Sequence, residues 1–333
     1  MHIFCIAGPT ATGKSDLAAE VAVRLATEIV SADAFQIYEG FDVLAGKPDV
    51  ATLRKVPHHL IGTVQINEEM SAARYRALAL PVIADISSRG RLPVLVGGSG
   101  LYIKALTHGL AEVPAASARL RKRLNEMSTD ELLRRLTTLD PESAKRVDAK
   151  NRRRLIRTIE ICLVSGKVAS AQRTQWSTSG DVPIAESTVG RSRGPGRDRP
   201  SLADPAVPNL PALEHRGVFV FRDRDELYQR IDDRVQAMFD SGAIEEVRDS
   251  KELSPTVEQM IGIRDIRKHL AGEISRAECL ARIQQLTRRY AKRQLTWFRR
   301  QTNLEPLNLS LLSNNEAVLR VLRRAIVGRV VND

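Results

Sequence analysis

Cysteine, aromatic side chains and long apolar runs are all scarce in this chain of 333 residues. Its three cysteines lie far apart in apolar patterns, at Cys5, Cys162 and Cys279, which predicts buried reduced thiols and neither a disulfide framework nor a metal site. No apolar run approaches the ~18 uncharged residues that a membrane helix needs. The N-terminal segment also lacks the pattern of a signal peptide. We therefore expect no membrane partner and a cytoplasmic location.

Acidic residues are the minority among the charged ones. Asp and Glu number 40 against 51 Lys and Arg, which gives a net charge of +11 and a pI near 9.9. This excess predicts an anionic partner, with nucleic acid favoured over a membrane surface. A composition of 43% hydrophobic and 27% charged residues is typical of a globular protein, and the length fits one large domain or two smaller ones.

A phosphate-binding loop follows the first apolar segment. The stretch GPTATGKS has the spacing G-x-x-x-x-G-K-S and consists of Gly8, Pro9, Thr10, Ala11, Thr12, Gly13, Lys14 and Ser15. Its glycines let backbone N–H groups converge on a phosphate, Lys14 supplies a cation and Ser15 can ligate Mg²⁺. An apolar run precedes the loop and a helical pattern follows it, as this motif requires. The pattern predicts a phosphate site without naming the phosphate compound.

The apolar segments predict a doubly wound parallel α/β sheet of the P-loop NTPase type. HIFCIAG, EIVSAD, RLPVLVGGSG and GVFVF are the predicted strands, and KSDLAAEVAVRLA is the first predicted helix. A long crossover helix contains Pro81, which is expected to kink or divide it. The predicted core comprises residues 1–113 and 216–333, with a helical C-terminal part. Residues 114–185 are predicted to be an inserted helical subdomain, and the Ser-, Gly-, Pro- and Arg-rich residues 169–215 a flexible loop.

Two strand ends carry polar residues that bear on the chemistry. Asp33 follows the second strand, where a carboxylate near a bound phosphate can hold a metal or take a proton. The later strand ends in Gly97, Gly98 and Ser99, where a nucleotide hydrolase usually has an acidic residue for Mg²⁺. Nucleotide hydrolysis is therefore disfavoured, although the loop alone leaves phosphoryl transfer and other uses of a phosphate open.

Seven motifs in order give the chain a family resemblance. They are GPTATGKS, SADAFQIYEGFDVLAGKP, VPHHLIG, LPVLVGGSGLYIKAL, LYQRIDDRV, MIGIRDI and TRRYAKRQLTWFR. This set resembles the tRNA dimethylallyltransferases, also called tRNA isopentenyltransferases, from residue 3 to about residue 300. The resemblance implies transfer of a dimethylallyl group from dimethylallyl diphosphate, with Mg²⁺ present. The acceptor would be N6 of the adenosine 3′ to the anticodon, in tRNAs that read codons starting with U. The implied partners are that donor and the tRNA anticodon stem-loop, and a monomer is expected.

The resemblance also implies residue roles. The phosphate loop would hold the diphosphate, and Arg234 would contact it from the opposite side. Asp33 would accept a proton from the adenosine amine, with Ser99 beside the same centre. The tRNA contacts would come from Asp33, Ala34, Phe35, Gln36 and Ser99; from Arg121, Arg153, Arg154, Leu155, Ile156 and Arg157; from Gln259, Met260, Ile261, Gly262, Ile263 and Arg264; and from Lys292, Arg293, Gln294, Leu295, Thr296, Trp297, Phe298 and Arg299. The last group lies in a basic segment with interleaved aromatics, as stacking on splayed RNA bases requires.

Several positions depart from the family pattern. Ala34 and Ala45 stand where the family usually has hydroxyl residues, Gly62 replaces an aspartate and Ser99 replaces a threonine. Because Asp33, the phosphate loop and Arg234 remain, we expect the chemistry to be retained and tRNA affinity to be altered. The adjacent His58 and His59 lack a third ligand at usable spacing, so a structural or hydrogen-bonding role is favoured over metal binding.

Other functions stay open at this point. An adenylate isopentenyltransferase would act on free nucleotide and would need no RNA surface, so the net charge of +11 counts against it. A small-metabolite kinase would consume ATP, and residues 97–99 lack the acidic group expected there. An inactive RNA-binding protein is disfavoured by the intact Lys14, Asp33 and Arg234.

Overall fold

The computed structural model describes residues 1–110, 118–171 and 213–327. Within these residues, six parallel strands form one sheet in the order β3-β2-β4-β1-β5-β6. The strands are β1 (His2–Ala7), β2 (Ile29–Ser31), β3 (His58–His59), β4 (Val94–Gly97), β5 (Glu214–Phe221) and β6 (Leu304–Asn308). Since all strands run the same way, their carboxyl ends lie along one edge of the sheet, where ligands bind in open α/β folds.

Both faces of the sheet are buried, which explains the continuous apolar runs of its strands. Along β1, Ile3, Cys5 and Ala7 enter one hydrophobic cluster. Phe4 and Ile6 point the opposite way and enter a second cluster. The sheet therefore separates two cores, as the doubly wound prediction requires, and the predicted fold class is confirmed.

Helices flank the sheet on both sides. They are α1 (Lys14–Arg24), α2 (Val50–Lys55), α3 (Ala72–Ser88), α4 (Gly100–Thr107), α9 (Arg224–Asp240), α10 (Ala243–Asp249), α11 (Ile263–Leu270), α12 (Arg276–Phe298) and α13 (Asn314–Val327). Helix α3 runs as one element through Pro81, so the proline does not divide it. No helix in residues 1–110, 118–171 or 213–327 combines the length and apolarity needed to cross a bilayer.

Contacts divide the chain into two units, one of residues 1–109 and 207–333 and the other of residues 110–206. The described part of the second unit contains α5 (Ala118–Glu126), α6 (Thr129–Leu139), α7 (Pro141–Arg146) and α8 (Arg152–Ser165). A capping box between Ser128 and Glu131 starts α6. Leucine and isoleucine side chains form the core of this unit, among them Leu132, Leu136 and Ile159. Most of the predicted loop 169–215 lies outside the described residues.

Two strands were not predicted. Strand β3 has two residues, too few to give a period. Strand β6 has the sequence LEPLN, whose proline and glutamate are exposed because it lies at the edge of the sheet. The C-terminal part is otherwise helical, as expected.

Candidate active site

The phosphate loop turns between the end of β1 and the start of α1, at the carboxyl edge of the sheet. Gly13 has φ +88°, a left-handed conformation that favours glycine, and Lys14 is the first residue of α1. A Cβ on Gly8 would lie 2.3 Å from the Val220 carbonyl oxygen of β5, so only glycine fits there. The Lys14 Nζ atom donates to the Pro9 carbonyl at 3.1 Å. The loop is therefore folded as the motif predicts, with its helix N-terminus facing the edge.

Three arginines contact this loop. Arg234 donates to the Thr10 hydroxyl at 3.2 Å. Arg230, one helical turn earlier on α9, donates to the Ala11 carbonyl at 2.9 Å. Arg222, just after β5, donates to the Thr12 carbonyl at 2.9 Å. Arg234 was expected here from the family motif, whereas Arg222 and Arg230 were not. The i,i+4 spacing of 230 and 234 was the available signal, because it places both on one face of α9.

Burial lowers the pKa of two basic side chains of the site, Lys14 and Arg234. Desolvation lowers the pKa of Lys14 to about 8, while Asp33 opposes and Arg234 reinforces this shift. Desolvation likewise lowers the pKa of Arg234, and Asp33 again opposes it. Asp33 raises the pKa of both cations, so the three side chains interact electrostatically. A bound anion would likewise stabilise the charged forms of Lys14 and Arg234.

Asp33 lies in a turn at the end of β2. Its Oδ1 accepts from the backbone N–H groups of Phe35 at 2.9 Å and Gln36 at 3.3 Å. A small cleft next to it is lined by Lys14, Ser15, Ile29, Ser31, Asp33, Gln36, Pro48, His58, Ile61, Val96 and Gly97. The predicted phosphate-binding cation, metal ligand and proton acceptor therefore line one cleft.

The loop before α2 closes another side of the site. The Gly46 carbonyl accepts from both Gln36 Nε2, at 2.9 Å, and an Arg234 N–H, at 3.0 Å. Three successive N–H groups of the same loop, those of residues 42–44, donate to the Glu246 carboxylate of α10 at 2.7–2.8 Å. A Cβ on Gly46 would lie 1.7 Å from the Arg234 guanidinium, so a side chain at this position would displace the arginine.

Helix α12 lies against the loop after β4. Gln294 is buried, and its amide donates to the Gly98 carbonyl and accepts from the Thr10 N–H. Ser99 follows as the N-cap of α4. The indole ring of Trp297 lies 2.7 Å from where a Cβ of Gly100 would be. The glycines after β4 therefore allow α12 to pack closely against the phosphate loop. This role of α12 was not predicted from the sequence.

The predicted RNA residues of α12 divide by burial. Gln294 and Phe298 are buried, with Phe298 stacked on Phe219 of β5 at 5.5 Å between ring centroids. Trp297 and Leu295 are partly buried. The exposed members are Lys292, Arg293, Thr296 and Arg299. In residues 259–264, which lead into and begin α11, Gln259 and Arg264 are exposed, Ile261 is partly buried, and Met260, Gly262 and Ile263 are buried. Contact with RNA remains a prediction for these residues.

In the helical unit, the same division holds. Arg153 and Arg154 are exposed on α8, whereas Leu155 and Ile156 belong to the core. Arg121 binds the buried Glu160 carboxylate through two hydrogen bonds of 2.9 Å. Arg157 lies 3.5 Å from the same carboxylate. Arg121 therefore joins α5 to α8, in addition to its predicted RNA role.

The two histidines make ordinary hydrogen bonds. His58 contacts the Val56 carbonyl at 2.8 Å and His59 contacts the buried Glu28 carboxylate at 2.8 Å. Within the described part of the chain, no cluster of three His, Cys, Asp or Glu side chains could hold a metal ion. All three cysteines are free and buried, as expected.

Known proteins similar to this chain show the family to which it belongs. The family model described as IPP transferase matches residues 36–301. A tRNA dimethylallyltransferase from Akkermansia muciniphila is 37% identical over 305 residues, which is 92% of each chain. A tRNA dimethylallyltransferase 1 from Citrifermentans bemidjiense is 37% identical over 310 residues, which is 91% of each chain. A solved tRNA isopentenylpyrophosphate transferase from Bacillus halodurans superposes with a TM-score of 0.66 at 29% identity, covering 99% of this chain and 97% of its own.

The fold and the site define a P-loop α/β protein in which a phosphate loop lies beside a carboxylate at the edge of a parallel sheet. The matching model and relatives then place it more closely: the chain belongs to the IPP transferase family, a family of enzymes.

Proposed function

We propose that this protein is a tRNA dimethylallyltransferase that uses dimethylallyl diphosphate. The acceptor is N6 of the adenosine 3′ to the anticodon, in tRNAs that read codons starting with U. The convergence of Lys14, Ser15 and Asp33 at one cleft, with Arg234 bound to Thr10 of the adjoining phosphate loop, carries the proposal. Family membership and the names of the relatives favour this activity over adenylate prenylation and over a kinase.

The donor half of the site would stabilise a departing diphosphate. The bond between the allylic carbon and the diphosphate oxygen breaks, and the electron pair leaves with the oxygen. Negative charge then grows on the diphosphate, where the N–H groups of the phosphate loop, Lys14 and Arg234 supply fixed positive charge. Their lowered pKa values indicate groups placed in a low-dielectric site before the anion arrives.

The acceptor half would position a weak nucleophile. The N6 lone pair forms the new C–N bond, and the nitrogen then loses a proton to the Asp33 carboxylate. Because an exocyclic adenine amine is a poor nucleophile, alignment with the allylic carbon should contribute most of the rate. A stacked base cannot reach this edge of the sheet, so the adenosine must be flipped out of the loop.

Mg²⁺ fits the donor half. It commonly binds through one or two protein oxygens while phosphate oxygens and waters complete its shell, so a cluster of carboxylates is not required. Ser15 lines the cleft beside Asp33 and would hold the ion together with the donor's own oxygens. When bound, the ion supplies additional positive charge to the diphosphate.

Incubation with dimethylallyl diphosphate, Mg²⁺ and unmodified tRNA, followed by nucleoside mass analysis, tests the proposal. We expect N6-(dimethylallyl)adenosine, and loss of about 10²–10⁴-fold in rate for Asp33→Asn, which keeps an acceptor for the turn but removes the base. Asp249→Asn is the matched control, since that aspartate is exposed at the end of α10 and does not line the cleft. Product on free AMP but not on tRNA would indicate the adenylate enzyme, and ATP consumption without prenylation would indicate a kinase.

A further inference from the structure

The side chain of Gln294 joins two loops that are far apart in sequence. Its Oε1 accepts from the Thr10 backbone N–H at 3.0 Å, and its Nε2 donates to the Gly98 carbonyl at 2.9 Å. A backbone N–H can only donate and a carbonyl can only accept, so these partners fix which end of the amide is which. The side chain is 7% exposed, which makes both bonds costly to lose.

The two loops serve opposite halves of the proposed reaction. Thr10 belongs to the phosphate loop, and its hydroxyl also accepts from Arg234. Gly98 directly precedes Ser99, whose N–H donates to the Ala32 carbonyl next to Asp33. One amide therefore connects the diphosphate side of the site with the side that holds the proton acceptor.

The glycines beside this amide are in close contact with α12, so a larger residue at either position would displace the helix side chains. A Cβ on Gly98 would lie 2.4 Å from Gln294 Nε2, and one on Gly100 would collide with the Trp297 ring. Ala291 and Phe298 are buried on the same face of α12 as Gln294, one turn away on either side. By contrast, Lys292 and Arg293 are exposed. The buried face of the helix thus serves the site, and the exposed face is left for other contacts.

We propose that Gln294 is a positioning residue for prenyl transfer. It sets the separation between the phosphate loop and the loop after β4, and so the distance between the allylic carbon and the adenosine amine. Through it, that separation depends on the placement of α12, the helix that carries the predicted RNA surface. The proposal rests on the proposed function, and it assigns Gln294 a role distinct from RNA contact.

Single-turnover kinetics of Gln294→Met tests this role, because methionine keeps the volume and removes both hydrogen bonds. We expect the rate at saturating donor and tRNA to fall by about 10- to 100-fold, the range caused by small misalignments of reacting groups. The dissociation constant for tRNA, measured by filter binding, should stay within about 2-fold because the exposed charges of α12 are unchanged. Gln284→Met is the matched control, since Gln284 is on the same helix and, among the described residues, its amide donates to the Asp232 carbonyl and to neither loop of the site.

Three outcomes would overturn the proposal. Weaker tRNA binding with an unchanged saturated rate would make Gln294 an RNA contact. A lower melting temperature with an unchanged rate would make it purely structural, and a loss equal to that of Gln284→Met would make it a general feature of the helix. If Gln294→Met does not fold, Gly98→Ala tests the same contact, because its methyl group displaces the amide. Absence of wild-type turnover would refute the proposed function instead.

Discussion

Replacing Glu246 with alanine should loosen the loop that supports Arg234. The carboxylate accepts from the N–H groups of Asp42 at 2.8 Å, Val43 at 2.7 Å and Leu44 at 2.8 Å. The same loop presents the Gly46 carbonyl to Arg234. Glu246 lies outside the cleft and binds this loop directly, so we expect its effect on activity to act through the loop.

The size of the effect follows from these bonds. A hydrogen bond to a charged group contributes about 1.5–3 kcal/mol when buried. Glu246 is only partly buried and Asp42 is exposed, so water replaces part of what is lost. We expect the free energy of unfolding to fall by about 2–3 kcal/mol. Losing the bond between the Gly46 carbonyl and Arg234, about 1.5 kcal/mol, would raise KM for the donor by about tenfold.

Urea denaturation and steady-state kinetics measure the two effects, and the neighbouring residue provides the control. Glu245 is exposed on the same helical turn and lies 3.5 Å from Arg248, with both side chains 54% exposed. Glu245→Ala should therefore change stability by less than about 0.5 kcal/mol and leave KM unchanged. Equal stability of the two variants, or lost stability with an unchanged donor KM in Glu246→Ala, would refute the link from this loop to Arg234.

Three further predictions concern stability and donor binding. Hydrogen bonds from its arginine partners lower the pKa of Glu28 to about 2, so its stabilisation is present above pH 4.5 and lost as the pH falls toward 2. Glu28→Gln should lower the free energy of unfolding by about 2 kcal/mol at pH 7. This value allows for solvent screening, because those arginines are partly exposed. In urea titrations, the difference in stability between wild type and variant should become smaller below pH 4.5, and a difference that does not change with pH would contradict the role of the ionised carboxylate. Gly8→Ala places a methyl group 2.3 Å from a β5 carbonyl oxygen, so calorimetry should show diphosphate affinity at least about tenfold weaker, and unchanged affinity would contradict the assigned loop geometry. Glu160→Gln weakens the bidentate pair with Arg121 and should lower the free energy of unfolding by about 2 kcal/mol, and equal wild-type and variant denaturation curves would show that the pair is not stabilising.

Most of the fold could be predicted from local patterns in the sequence. The phosphate loop is contiguous, and β1 and β4 are buried on both faces, so their apolar runs and terminal glycines are visible without tertiary information. Strands β3 and β6 were not predicted. Strand β3 is too short to show a period, and β6 is an edge strand with an exposed glutamate and proline. Their pairing comes from the neighbouring strands rather than from their own composition.

The residues of the site were harder to predict from the sequence than the fold, for a different reason. Asp33 and the phosphate loop could be placed because strand ends converge in any parallel sheet. Gln294 and Glu246 act through partners that are 284 and over 200 residues away, and nothing in a helical segment distinguishes such a side chain from its solvent-exposed neighbours. Burial also separated residues that are adjacent in one motif, such as Gln294 and Arg293, and that division depends on how α12 packs.

The position of β1 between β4 and β5 has a consequence for synthesis. As the chain leaves the ribosome, β4 follows β1 early, whereas β5 appears only after the whole helical unit has been made. Until then one edge of β1 is unpaired, a feature that invites pairing with other chains. Arg222, Arg230, Arg234 and Gln294 emerge later still. A nascent chain therefore displays the complete phosphate motif long before it can assemble a donor site, and stabilisation by bound diphosphate is available only to the finished protein.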